Sequence, residues 1–281
     1  MASSSVEIAR RVATRQTKLL RAADQRELEL LRRLASILRL AQEQIRIAIA
    51  AMGERSGAAA YLTFNQQIAG VLAGAENSLQ LALTRALTNA AADGAALVDE
   101  TIEAADLIVP VAAASTDGVA ELGIAAVPLI LEEPIQIATR AARLQALKVS
   151  NGQMTVAAAL AAVGTKLLGS RVFGRAIERL TGSASAELGG THSAAAQRRA
   201  AQVARGGVEL RKRWVAWHRA SARRHHLDAE ARYRDGIPIG EKFVIGRFQT
   251  HGPRMAGLPG LERKHCRCRL AFLPPAREER P

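Results

Sequence analysis

Along residues 16–52 the apolar positions Leu31, Leu34, Leu38, Ala41, Ile45, Ala48 and Met52 recur alternately three and four apart, the period that lays them on one stripe of a long helix. Gly53 is the expected stop. Three heptads are too few for a free coiled coil, so the stripe reads as the core face of a helical bundle. A second helical pattern, rich in Ala and Leu, covers residues 62–92 and is expected to break at Asp93-Gly94; a third, over 95–109, ends at Pro110. Ser115-Thr116-Asp117-Gly118 supplies turn and capping residues, and Pro134 suits the first turn of a helix reaching Val149, before Asn151-Gly152. Residues 154–168 and 172–180 read as shorter helices. The Gly/Ser-rich stretch 181–190 reads as a loop or hinge, and 191–221 as a basic helix pair or one helix bent at Gly206-Gly207.

Beyond residue 213 the pattern changes. Six of the nine aromatics, six of the nine prolines and both cysteines fall there. Short alternating runs, Lys242-Phe243-Val244-Ile245 and Cys268-Arg269-Leu270-Ala271-Phe272, read as β-strands. The expected fold is therefore mostly α with a small C-terminal α+β module: a helical region over residues 1–180, extended and engaging portal or capsid by the resemblance given below, and the module over 181–281. With 48% hydrophobic residues in 281 the chain can bury a core, and with 3% aromatics an all-β fold is excluded.

Charge sharpens this picture. The net +13 divides into +5 over residues 1–70, −8 over 71–140, +6 over 141–204 and +10 over 205–281, so an acidic segment separates two basic arms. Such a balance fits an acidic partner or nucleic acid, and equally a set of solvated arginine-rich helix faces. The longest apolar stretch, 107–131, is interrupted by Pro110, Asp117, Glu121 and Pro128, and no membrane association is expected. Cys266 and Cys268 lie too close in sequence for a mutual structural disulfide.

Read in order, the last third gives Thr191-His192-Ser193, Lys212-Arg213-Trp214, Arg223-Arg224-His225-His226, Gly236-Ile237-Pro238, Phe243-Val244-Ile245-Gly246 and His265-Cys266-Arg267-Cys268-Arg269. This ordered set resembles the phage Mu F-like minor head proteins, the head morphogenesis family of tailed phages, over roughly residues 175–273. Trp214, His225 or His226, Gly236, Phe243, Cys266 and Cys268 carry the match. The chain departs from the family pattern at His192, where Glu is usual, at His218, where Asp commonly follows the Trp, and at His265, which replaces Asn.

The resemblance implies a structural protein of a phage head or phage-like particle, in the virion and, during assembly, in the host cytoplasm. It would bind portal, capsid or scaffold proteins and packaged double-stranded DNA, without turnover and without a cofactor, with self-association through its helices as a further expectation. Arg223, Arg224, Arg267 and Arg269 are the expected contacts to phosphate or to an acidic partner, because guanidinium groups grip phosphates bidentately. At least one of Arg267 and Arg269 is also a candidate for an internal ion pair with Asp228, Asp235 or Glu241. Trp214 and Trp217, three apart, are expected on one helix face as core.

Two other classes stay open. One is a nuclease or toxin-like enzyme using His225 or His226 with Arg224 and Glu241 in general acid–base chemistry; the other is a non-specific DNA-binding protein outside the virion. Catalytic motifs of known spacing are missing from the sequence. A metal is not expected either: the two cysteines share a strand face, but His225, His226, His251 and His265 do not have zinc-ligand spacing, so the thiols are expected to pack as small apolar groups under Trp214 and Phe272.

Overall fold

The computed structural model describes residues 4–52, 57–109, 117–164, 171–217, 220 and 222–274. The expected turn at 115–116, the helical residues 165–168 and His218 lie outside them. The elements are α1 (Ser5–Ala51), α2 (Ala58–Ala104), α3 (Asp117–Ala125), α4 (Val127–Ser150), α5 (Val156–Val163), α6 (Arg171–Arg205), β1 (Arg211–Val215), α7 (Arg224–Arg232), β2 (Ile237–Pro238), β3 (Phe243–Ile245), β4 (Phe248–Thr250), α8 (Gly260–Arg263) and β5 (Arg269–Leu273). The chain is mostly helical, with a small C-terminal module of antiparallel strands. No helix among the described residues is long and apolar enough to cross a membrane.

Two compact units emerge, and neither is a continuous piece of chain: one comprises residues 1–28, 85–125 and 185–281, the other 29–84 and 126–184. The division expected near residue 180 falls inside α6, ahead of the first strand at Arg211, and residues 185–281 pack with 1–28 and 85–125.

In the second unit the predicted stripe does its expected work. Leu34, Leu38, Ala41, Ile45 and Met52 are buried, with Ile49 between them. Ile45 and Ile49 share one buried cluster with Phe64 and Ile68 of α2, Phe173 of α6 and Ala138, Ala142 and Ala146, spaced every fourth residue on α4. Small side chains at that spacing let helices approach closely. Pro128, not Pro134, occupies the first turn of α4; Pro134 lies inside the helix and is buried. Thr155 caps α5 by accepting from the Ala158 N–H at 3.2 Å, and the Gln42 amide of α1 donates to the Val163 carbonyl at its far end.

A core of the first unit is built from both ends of the sequence: Leu20 of α1, Leu97, Val98 and Ile102 of α2, Ala196, Ala200 and Val203 of α6, and Trp214, Phe243, Ile245, Leu270 and Phe272 of the strands. β1 is the centre of a three-stranded antiparallel sheet, β2-β1-β5, and β3 and β4 form a hairpin. Trp214 stands opposite Leu270, and Lys212 opposite Phe272. The outer edge of β5 is closed by a side chain: Gln16 of α1 donates to the Phe272 carbonyl at 2.6 Å and accepts from its N–H at 3.3 Å, which satisfies backbone groups that an open edge would leave unpaired.

Three local readings are corrected. Asp93-Gly94 does not break a helix: α2 runs through it. The glycine is there for contact, since a Cβ on Gly94 would sit 2.1 Å from the His192 carbonyl oxygen of α6. Residues 181–190 are not a hinge but the middle of α6. The basic helix expected over 191–221 ends at Arg205, Gly207 turns the chain at φ 89°, and Trp214 falls on β1 instead of sharing a helix face with Trp217.

These close approaches set a test. Gly94→Ala meets backbone and is expected to destabilise by about 3 kcal/mol despite the better helix propensity of alanine. Gly70→Ala, also in α2 but with open space around the added methyl, is expected to stabilise by about 0.5–1 kcal/mol. Urea unfolding of the two variants checks the pair, and equal effects would refute the packing argument.

Candidate functional site

β1 alternates, with Lys212 and Trp214 turned inward and Arg211, Arg213 and Val215 half-exposed. Trp214 meets Phe243 edge-on at 5.6 Å between ring centroids and His226 at 5.4 Å. His226 lies on α7, whose N-cap is Arg223. Its Nδ1 is 3.5 Å from the sulfurs of both Cys266 and Cys268, and its Nε2 is 3.3 Å from a carboxylate oxygen of Glu262 on α8. His225, half-buried, donates to the same oxygen at 2.8 Å. The ambiguity between the two histidines is thereby resolved: His226 faces the core beside the cysteines, and His225 is outside it, against Glu262.

The motif residues Trp214, His226, Phe243, Cys266 and Cys268 thus come together in one buried cluster. Gly236 holds its turn at φ 72°, where a Cβ would stand 3.0 Å from that of Arg211. His265 takes φ 55° and is exposed, which turns the chain so that Cys266 enters the core. His251 contributes its carbonyl, which accepts from the Lys212 ammonium at 3.0 Å.

The spacing argument against a nitrogen–sulfur set therefore fails for His226. The fold brings it to thiols 40 and 42 positions further along the chain. The sulfurs and Nδ1 lie within 4.8 Å of one another and all three residues are buried. The thiols are unequal: Cys266 accepts from Cys268 and interacts with His226, which outweighs burial and pulls it well below the ordinary thiol range, while Cys268 is pushed up. Burial would raise the Glu262 carboxyl, but the hydrogen bond from His225 and the charges of His225 and Arg223 hold it below its usual value. A cavity of about 10 Å³ beside the thiols is lined by Ala222, Arg223, His226, His265 and the Cys-Arg-Cys residues. A cavity of about 320 Å³ in the second unit is lined, among the described residues, by no titratable side chain.

The four arginines do not form one surface. Arg269 is only 2% exposed and its guanidinium lies 2.7 Å from Glu27 and 3.8 Å from Asp24; Arg267 pairs with Asp24 at 2.6 Å. Neither engages Asp228, Asp235 or Glu241, the acids expected from sequence. Arg223 donates to the carbonyls of Leu261, Glu262 and Lys264, at and just beyond the C-terminal end of α8. Of the four, Arg224 projects furthest outward, its side chain 93% exposed and 4.0 Å from Asp228 one turn on. As phosphate contacts, Arg269 is corrected outright by its burial, and Arg267 and Arg223 are already engaged.

The sequence reading missed the centre of this unit. Glu27 is buried on α1 and receives a forked guanidinium from Arg254 at 2.8 and 3.1 Å, a hydrogen bond from Ser185 of α6 at 2.7 Å and the contact from Arg269. Arg254 reaches it across Gly189: a Cβ there would lie 1.8 Å from the guanidinium carbon, and one on Gly190 would lie 2.9 Å from the Arg254 carbonyl oxygen. The signal was present in the helix period, because counting back from Leu31 by four, three and four gives Glu27, Asp24 and Leu20, two acids on the stripe that should be apolar.

No protein-family model, curated protein or solved structure matches the chain.

The buried charges make acid sensitivity calculable. Burial would raise Glu27, but Arg254 and Arg269 outweigh it and bring it to about 2 from 4.5. Burial, then the charges of Arg269 and Arg254, takes His192 to about 3 from 6.5. Both folded values lie below the unfolded ones, so the stability they contribute is complete above pH 6.5 and is lost as pH falls: through His192 from 6.5, joined by Glu27 below 4.5. The Glu27 share is about 3 kcal/mol. Urea titrations at stepped pH are expected to show this decline, and His192→Gln to delay its onset to about pH 4.5. A wild-type profile flat between pH 6.5 and 3 would refute the assignment.

Proposed function

We propose that this chain is a structural minor head protein of a tailed phage or phage-like particle, acting by binding portal, capsid or scaffold proteins and packaged DNA, without turnover. The observation that carries the reading is that the ordered residues resembling the Mu F-like proteins form the interior of one module: Trp214, His226, Phe243, Cys266 and Cys268 are all buried in contact with the same core. Residues with this placement specify a scaffold, and recognition is left to the surface.

The nuclease or toxin-like alternative gains nothing from the site. The cavity beside the histidines is about 10 Å³, room for about one water and not for a nucleotide. Glu241, its expected acid, is exposed, while Glu262 occupies the histidines.

Electrostatic contact with DNA keeps Arg224 of the four arginines expected from sequence and otherwise passes to new positions. Arg224, Arg232, Lys242 and Arg247 are exposed on the C-terminal module, and guanidinium and ammonium groups so placed release counterions when they neutralise phosphates.

Co-expression with the portal and major capsid proteins of a tailed phage is expected to carry the chain into proheads, and His225→Ala is expected to leave incorporation intact. Binding to duplex DNA is expected to be independent of sequence, with a salt slope that flattens in the combined Arg224→Ala, Arg232→Ala, Lys242→Ala, Arg247→Ala variant. Absence from proheads with DNA binding retained would favour the general DNA-binding reading. Cleavage of RNA or DNA lost on His225→Ala would favour the enzyme.

A further inference from the structure

We infer that His226, Cys266 and Cys268 form a zinc site, with its fourth position open to a water in the adjoining cavity. In a tetrahedral zinc centre, Zn–S bonds of about 2.3 Å and a Zn–N bond of about 2.0–2.1 Å put sulfur and nitrogen about 3.5 Å apart. That is the separation of the His226 Nδ1 from each of the two sulfurs. Two such edges sharing one nitrogen, with all three donor atoms within 4.8 Å, leave the metal a position equidistant from the donors.

The donor chemistry selects the ion. Two thiolates and an imidazole are the soft and borderline ligands that zinc prefers over calcium or magnesium, which take oxygen. Two thiolates also cancel the charge of a divalent ion, so the occupied centre adds no net charge to a buried site. The thiol protons leave to solvent as the metal enters.

A second observation points the same way from the other side of the ring. A histidine that binds metal through one nitrogen is ordinarily held through the other by a carboxylate, which sets the tautomer and the ring plane. Glu262 stands 3.3 Å from the His226 Nε2 and is itself held by His225 at 2.8 Å and by the Arg223 Nε at 3.4 Å. Trp214 bounds the ring edge-on. Nε2 has no hydrogen-bond partner among the described residues and lies on the Glu262 side of the ring, while Nδ1 is the nitrogen that faces the sulfurs.

The cavity sets the coordination number. At about 10 Å³ it admits a single water, and it is lined by Ala222, Arg223, His265 and Arg267 besides the three ligands. Among the described residues the centre has three protein ligands, with one water in the cavity as the fourth, and the site stands whether or not the chain belongs to a phage head.

The test uses the full chain, purified without chelator. Elemental analysis is expected to find stoichiometric zinc, absent from Cys266→Ser and from Cys268→Ser. Glu262→Gln is expected to keep the ligands and weaken zinc affinity by about 10–100-fold. Because the cysteine variants are liable to misfold, wild-type protein stripped of metal, kept reduced and shown to be folded by circular dichroism is titrated with cobalt(II). The expected result is a thiolate-to-cobalt charge-transfer band with tetrahedral ligand-field bands. No such band at saturating cobalt, or zinc retained in the Cys266→Ser, Cys268→Ser double variant, would overturn the proposal.

Discussion

The first unit depends on a carboxylate taken out of water. Glu27 projects from the apolar side of α1 into a site where Arg254, Arg269 and Ser185 all turn toward it. Burying a charge is costly unless it is paired and hydrogen-bonded, and removing one partner leaves the other uncompensated. The consequence is architectural: α1, α6, the loop that carries Arg254 and strand β5 must all be in place for the charges to balance. Gly189 and Gly190 follow from the same constraint, since the guanidinium and backbone of Arg254 lie directly against α6.

The alternation of basic and acidic segments has an internal meaning as well. Arg11 pairs with Asp106, Arg15 with Glu100 and Glu103, and Arg26 with Asp93. Arg199 of α6 reaches Asp99. The acidic stretch is thus met from two sides by the arms that flank it in sequence. Each exposed pair is worth little in stability, but together they select how α1 lies along α2, and they reduce the positive charge left for a partner. Binding surfaces inferred from net charge alone therefore overstate what the folded chain presents.

Much of the fold was legible because periodicity records burial. The stripe from Leu34 to Met52 and the strand runs ending at Ile245 and Phe272 announce their elements directly. The glycines misled, since Gly94 and Gly189 look the same in sequence whether they free the backbone or admit a neighbour. Which of the two applies depends on a residue about 65–100 positions away. The Cys-Arg-Cys motif was visible, yet its histidine partner was not, because the proximity of His226 to the thiols is created by α7 packing against the sheet. Arginines were the least legible: Arg224 and Arg269 have the same chemistry, and only tertiary structure puts one in water and the other against Glu27.

The Gln16 side chain, which closes the edge of β5, joins positions 256 apart in sequence. Contacts of such separation form only after a large loop has closed, and they slow folding relative to local helix formation. On the ribosome, α1 emerges well before its partners: Gln16 meets Thr101 first, Glu27 waits for Ser185 and Arg254, and the contact that closes the β5 edge waits for Phe272. Helices of the second unit have all their core residues by position 184 and meet no such delay. Maturation of the first unit is therefore tied to late translation, and a ribosome stalled before β5 would hold a chain in which Glu27 lacks Arg269 and the Gln16 contact to Phe272 is still unmade.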